Sequence, residues 1–145
     1  LPAQSPVFEG SGPHLDVHWS PDRRWLAVTA EGKGQEFTTH LIPVANEQSA
    51  SALGAARPLA ITLEDKLMDA REVCWSPDSR ELAFSSSMKG NYNIGIYSLD
   101  DGHIRWLTSG GGDKSEPDWS PDGKRIAYIH ASLHARRQNV DLCLR

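Results

Sequence analysis

The stretch D-W-S-P-D-G-K-R-I-A-Y, residues 118–128, has two near copies in the same chain: H-W-S-P-D-R-R-W-L-A-V over residues 18–28 and C-W-S-P-D-S-R-E-L-A-F over residues 74–84. Aligned on tryptophan, Trp19, Trp75 and Trp119 are each followed at once by Ser-Pro-Asp, which brings Asp22, Asp78 and Asp122 into register. Eight residues after each tryptophan stand Ala27, Ala83 and Ala127. Ser, Pro and Asp suit a type I turn, because proline presets the backbone angle at its second position and the Ser and Asp side chains bond nearby amides. Gly123 then falls where a positive φ is cheapest, and Arg23 and Ser79 hold that place in the other copies. Short apolar runs flank the turn on both sides, so each phrase predicts a strand, a tight turn and a strand.

Further strands follow each hairpin. In the second copy residues 92–99 alternate with the strand period, Asp100-Asp101-Gly102 reads as a turn, and residues 103–108 form a fourth strand. The first copy has residues 37–44 as its third strand and 59–63 as its fourth, with an Ala- and Ser-rich surface excursion over 45–57 between them. The third copy reaches only a third strand, 139–144.

Repeats 56 and 44 residues apart, each a four-stranded antiparallel unit, predict an all-β fold: a β-propeller segment of about three four-stranded blades, part of a larger propeller. A blade is covered on both faces by its neighbours, so the same packing problem, and the same phrase, recurs. A β-sandwich has no reason to repeat Trp-Ser-Pro-Asp at every fourth strand. The organisation expected is a lead-in over 1–14, blade 1 over 15–64, blade 2 over 65–108 and an incomplete blade 3 over 109–145. Propellers close with about four to eight blades, so the expectation is a fragment of a longer ring, the alternative being two chains paired into six blades. The partners expected on this count are the remaining blades of a parent chain or a second copy.

The three phrases resemble the TolB-like, WD-repeat-like propeller repeat, in which a W-S-P-D-G turn precedes a basic residue and an apolar-Ala-aromatic strand. The segment L-T-S-G-G-G-D-K-S-E-P, residues 107–117, is similar to that family's link between blades. The resemblance runs from about residue 15 to 144, leaving out the excursion, and is specific for blade type rather than function. It implies either a non-catalytic scaffold that binds a protein or peptide, or the substrate-gating propeller of a prolyl oligopeptidase-type serine peptidase whose catalytic domain lies outside this chain. The first implies a periplasmic or secreted setting, and the second allows a cytoplasmic one.

Composition narrows the partners. The net charge of -4, from 19 acidic and 15 basic residues of both signs interspersed, offers no basic face for nucleic acid or anionic lipid. No apolar run approaches the roughly 18 to 20 residues of a membrane span, and residues 1–14 do not read as a signal peptide. Nucleic acid and membrane are therefore not expected as partners. Cys74 and Cys143 match no metal spacing and read as buried free thiols.

Catalytic and cofactor signals are sparse. There is no G-x-S-x-G elbow, Ser11 lying in a bare G-S-G. Gly110-Gly111-Gly112 lacks the Lys and Ser or Thr of a phosphate loop and reads as a flexible link between blades. His130 and His134 have a zinc-like spacing but no acid between them, and Arg136-Arg137 reads as a solvated loop tip. No catalytic residue, cofactor or metal is expected. One acidic pattern does recur: Asp16, Glu72 and Glu116 stand three residues before each tryptophan, and Asp69 and Asp113 six before the second and third. Equivalent positions recur in space, so these five predict an arc at one end of the propeller axis. The arc serves either as hydrogen-bond acceptors between blades or as an axial mouth for a cationic peptide.

Overall fold

The computed structural model describes residues 15–31, 37–44, 59–60, 62–63, 66–67, 69–87, 90–131 and 138–144. The expected lead-in, the 45–57 excursion, Ser11, His134 and Arg136-Arg137 lie outside them.

Strands β1 (Leu15–Trp19), β2 (Trp25–Glu31), β3 (Phe37–Pro43) and β4 (Leu59–Ala60) form the first sheet in that order. Strands β7 (Arg71–Trp75), β8 (Glu81–Ser86), β9 (Asn93–Ser98) and β10 (Ile104–Trp106) form the second, and β11 (Asp113–Trp119), β12 (Arg125–Ala131) and β13 (Gln138–Leu144) the third. Every neighbouring pair is antiparallel. One expectation is corrected in blade 1. Its fourth strand does not run over 59–63: only Leu59–Ala60 pairs with β3, while β5 (Thr62–Leu63) turns away to pair with β6 (Lys66–Leu67). The tight register Leu63↔Lys66 takes those residues out of the blade.

The three turns repeat bond for bond. Ser20 Oγ donates to Asp22 Oδ1 (2.6 Å), the Arg24 amide donates to the same oxygen (3.0 Å), and the Trp25 amide donates to Ser20 Oγ (3.0 Å). Ser76 with Asp78 and Ser120 with Asp122 make the same set. The fourth residue of each turn returns its amide to the serine carbonyl and is left-handed, with φ of 63° at Arg23, 62° at Ser79 and 69° at Gly123. The serine hydroxyl bonds place Asp22 and Asp122 below the usual carboxylate range, with the Arg24 and Lys124 amides contributing to the same end. Bonds to the ionised form favour it.

Strand alternation divides each blade between its two neighbours. In β8, Leu82 and Phe84 join Ala27 and Leu41 of blade 1 in one core cluster, together with Ala70, Val73, Trp75 and Tyr97. Ala83, between them in sequence, points the other way and joins Ile96, Trp119 and Ile126 in the core between blades 2 and 3. Ala27 and Ala83 have no exposed surface, because a neighbouring blade presses on each. Ala127, on the far face of blade 3, is only half-buried. The tryptophans show the same logic: Trp75 and Trp119 are 7% and 6% exposed against the preceding blade, whereas Trp19 is 56% exposed beside Val17 at 53%.

Candidate functional site: the inner strands and the axial groove

The first strands of the three blades, β1, β7 and β11, run side by side and enclose a groove of about 770 Å³. Its lining includes Asp16, Glu72, Glu116 and Asp118, together with Trp19, Trp75 and Cys74. Asp16, Glu72 and Glu116 are thus brought together. Asp69 and Asp113 are not part of this lining.

Glu72 and Glu116 reach the groove through backbone irregularity. Both hold a φ of 53°, and in both strands the pairing register slips there, between Arg71 and Cys74 in β7 and between Ser115 and Asp118 in β11. These are β-bulges, which re-aim a side chain out of the regular pleat. Strand β1 pairs without interruption, with Asp16 opposite Thr29. The Glu72 carboxylate spans two blades: its Oε2 accepts the Glu116 amide (2.9 Å) and the Ser85 hydroxyl (2.6 Å). Asp16 instead pairs with His18, Oδ2 to Nε2 at 3.0 Å. The Glu116 side chain is exposed on the groove.

Asp69 and Asp113 do a second job, in the same way as one another. Asp69 Oδ1 accepts the amide of Phe37, the first residue of β3 (3.1 Å), and the next amide, Ala70, donates to the Phe37 carbonyl (2.8 Å). Asp113 Oδ1 accepts the Tyr92 amide (2.9 Å), and Lys114 N donates to the Tyr92 carbonyl (2.9 Å). Each acid clasps the start of the preceding blade's third strand. Asp69 also takes both oxygens of its carboxylate to Arg71 Nη2 (2.9 and 3.0 Å) and a bond from Ser87 Oγ (2.7 Å). Burial alone would raise the Asp69 carboxyl, but the Ser87, Arg71 and Phe37 bonds outweigh it and hold the group below its ordinary value. The Arg71 guanidinium lies 4.4 Å from the Phe37 ring centre and 4.8 Å from that of Tyr92, a cation between two aromatic rings.

Cys74 is a free thiol, half-buried between the groove and the core of blades 2 and 3, against which it packs. Its Sγ donates to Asp118 Oδ1 at 3.4 Å. Burial, with the Asp118 carboxylate beside it, pushes the thiol up to about 11 and keeps it protonated at neutral pH. The Cys143 side chain lies outside the described residues. Among the described residues no group of three or more His, Cys, Asp or Glu side chains has the arrangement of a metal site.

Four features had little or no sequence signal: Asp118 on the groove, the two bulges, Arg71 between its rings, and Lys114. The last overturns the expectation of a flexible Gly110–Gly112 link, because those residues close around the Lys114 ammonium. Asp118 alone had a usable clue, standing directly before the repeated Trp where His18 and Cys74 stand in the other copies.

No family model matches the chain. Among curated proteins, the Tol-Pal system protein TolB of Francisella tularensis subsp. mediasiatica is 34% identical over 68 residues, 46% of this chain and 15% of that protein. An uncharacterized peptidase, YuxL of Bacillus subtilis, is 45% identical over 53 residues, 36% of this chain and 8% of the relative. The chain therefore spans a small part of the length of the relatives it matches. Among solved structures, TolB from Acinetobacter baumannii superposes with a TM-score of 0.73 at 21% identity, covering 95% of this chain and 31% of the other. The packing of inner tryptophans against preceding blades, the repeated turn and these likenesses agree: the repeats are TolB-like β-propeller blades, related to those of peptidase propellers.

Proposed function

We propose that these blades serve as a non-catalytic scaffold for a protein or peptide, and that the axial groove takes a segment carrying basic side chains. The observation that carries this reading is the groove itself. Three consecutive inner strands line it with four acidic residues among apolar ones such as Val17, Pro21 and Pro117, and a cationic side chain on an extended backbone has matching charge and apolar contact there. The carboxylates are not equal in this role. Glu72 is half-buried and engaged by two donors, while Asp16, Glu116 and Asp118 are exposed, Asp16 beside His18 and Asp118 beside the Cys74 thiol. A TolB relative named as part of the Tol-Pal system is consistent with a protein partner.

The test is a titration with a lysine-rich peptide and an acidic peptide of equal length, followed by tryptophan fluorescence. The basic peptide is expected to bind with an affinity that falls as salt rises, and Asp16→Asn and Glu116→Gln are expected to weaken it. Equal binding of both peptides, or none of either, would contradict the reading. A second reading, a substrate-gating propeller of a prolyl oligopeptidase-type peptidase, is supported by the 45% identity to the Bacillus peptidase. It requires a nucleophile elbow followed by Asp and His in the coding sequence beyond Arg145, and their absence there would remove it.

A further inference from the structure

Lys114 is 4% exposed, yet it carries an ammonium group. Burying an ammonium is costly unless its donors are met. Here they are met entirely by backbone: Nζ lies 3.3 Å from the Ser109 carbonyl, 3.0 Å from Gly110, 2.8 Å from Gly111 and 3.0 Å from Gly112. Among the described residues no carboxylate pairs with it. At the equivalent place in blade 2 stands Ala70, a core residue.

We propose that the Ser109–Gly112 link is a cation cage that the chain fills with its own side chain, and that it accepts a free potassium-sized monovalent cation when that side chain is cut back. Four carbonyls converging from consecutive residues are the ligand set that replaces the water shell of an alkali cation. An ammonium and a potassium ion are nearly the same size. A divalent cation is a poor match, because it calls for carboxylate oxygens that the cage does not supply. The glycines are needed for this shape. Gly110 and Gly112 are left-handed at φ of 87° and 78°, and a side chain at Gly112 would stand 2.6 Å from the Ala131 carbonyl oxygen and 2.7 Å from His130 Nε2. The cage has a structural consequence. The Lys114 amide is already bonded to the Tyr92 carbonyl, so the tethered cation fastens the inter-blade link to the clasp that joins blades 2 and 3.

The experiment compares wild type, Lys114→Met and Lys114→Ala by thermal melting in potassium chloride and in tetramethylammonium chloride at equal ionic strength, with hydrogen exchange read at the amides of residues 110–112. Lys114→Met keeps the stem without the charge and is expected to melt about 5 °C or more below wild type in both salts, with faster exchange in the link. Lys114→Ala is expected to regain part of its loss in potassium only, and wild type to melt alike in both. If Lys114→Met melts with wild type and its link exchanges no faster, or if Lys114→Ala melts alike in the two salts, the cage is overturned. Should Lys114→Ala fail to fold, exchange in Lys114→Met alone decides, with unchanged protection as the contrary result.

Discussion

Arg23 and Ser79 hold a left-handed backbone that L-residues adopt at a cost, while Gly123 holds the same conformation freely. Replacing Arg23 with glycine is expected to raise stability by about 0.5 to 1 kcal/mol, read from chemical denaturation. Ser79→Gly is expected to gain less or nothing, because the Ser79 hydroxyl accepts the Asp22 amide of the neighbouring blade at 3.0 Å and that bond would be lost. A larger gain at Ser79 than at Arg23 would contradict this account of the turns. Asp69 supports a prediction in pH. Its carboxyl titrates lower in the folded chain than in the unfolded one, so its stabilisation is complete above the unfolded value of about 4 and is lost as the pH falls through the lower folded value. Melts of Asp69→Asn across the acid range are expected to start lower and to decline less steeply below about pH 4 than those of wild type. Parallel curves would show that Asp69 does not stabilise the fold through its charge.

At the scale of strands and blades, Gly95 in β9 has the clearest packing role. An added methyl would stand 2.5 Å from the Phe84 ring, which meets the Trp106 ring edge-to-face at a centroid distance of 6.2 Å. Gly95→Ala is expected to cost about 1 to 3 kcal/mol by overpacking, measured by thermal melting, and a neutral outcome would mean that Phe84 can move aside. The hairpins were legible in sequence because their chemistry is local: the Ser and Asp side chains bond one another and the turn's own amides within six residues. Blade order and the burial of Ala27 and Ala83 followed from the repeat. The bulges were not legible, since glutamate is not a residue that sequence patterns place at positive φ. Neither was the short β4, whose two residues lie at the start of a run, 59–63, that reads as one strand. The clasp was partly legible. The recurrence of Asp69 and Asp113 pointed to a shared role, but only the fold shows that they reach the third strand of the preceding blade rather than the groove. Lys114 was hidden because its partners are carbonyls, which carry no sequence identity.

For the molecule as a whole, the unequal tryptophans matter most. Trp75 and Trp119 are covered by the blade before them, and Trp19 with Val17 presents the same kind of surface uncovered. The chain on its own is expected to associate in sedimentation and to bind an exposed-surface dye. Trp19→Lys is expected to lessen both without lowering the melting temperature, and a dye-silent monomer would contradict the expectation. The functional account rests on a division among the inner-strand carboxylates, with Glu72 joining blades 2 and 3 while Asp16 and Glu116 face the groove. Thermal melting of Asp16→Asn, Glu72→Gln and Glu116→Gln at low and moderate salt tests that division directly. The account predicts that Glu72→Gln loses about 1 to 2 kcal/mol through weakened charge-assisted bonds, while the other two hold their stability or gain slightly at low salt as repulsion across the groove is relieved. Equal losses in all three variants, or a Glu72→Gln variant as stable as wild type, would contradict it.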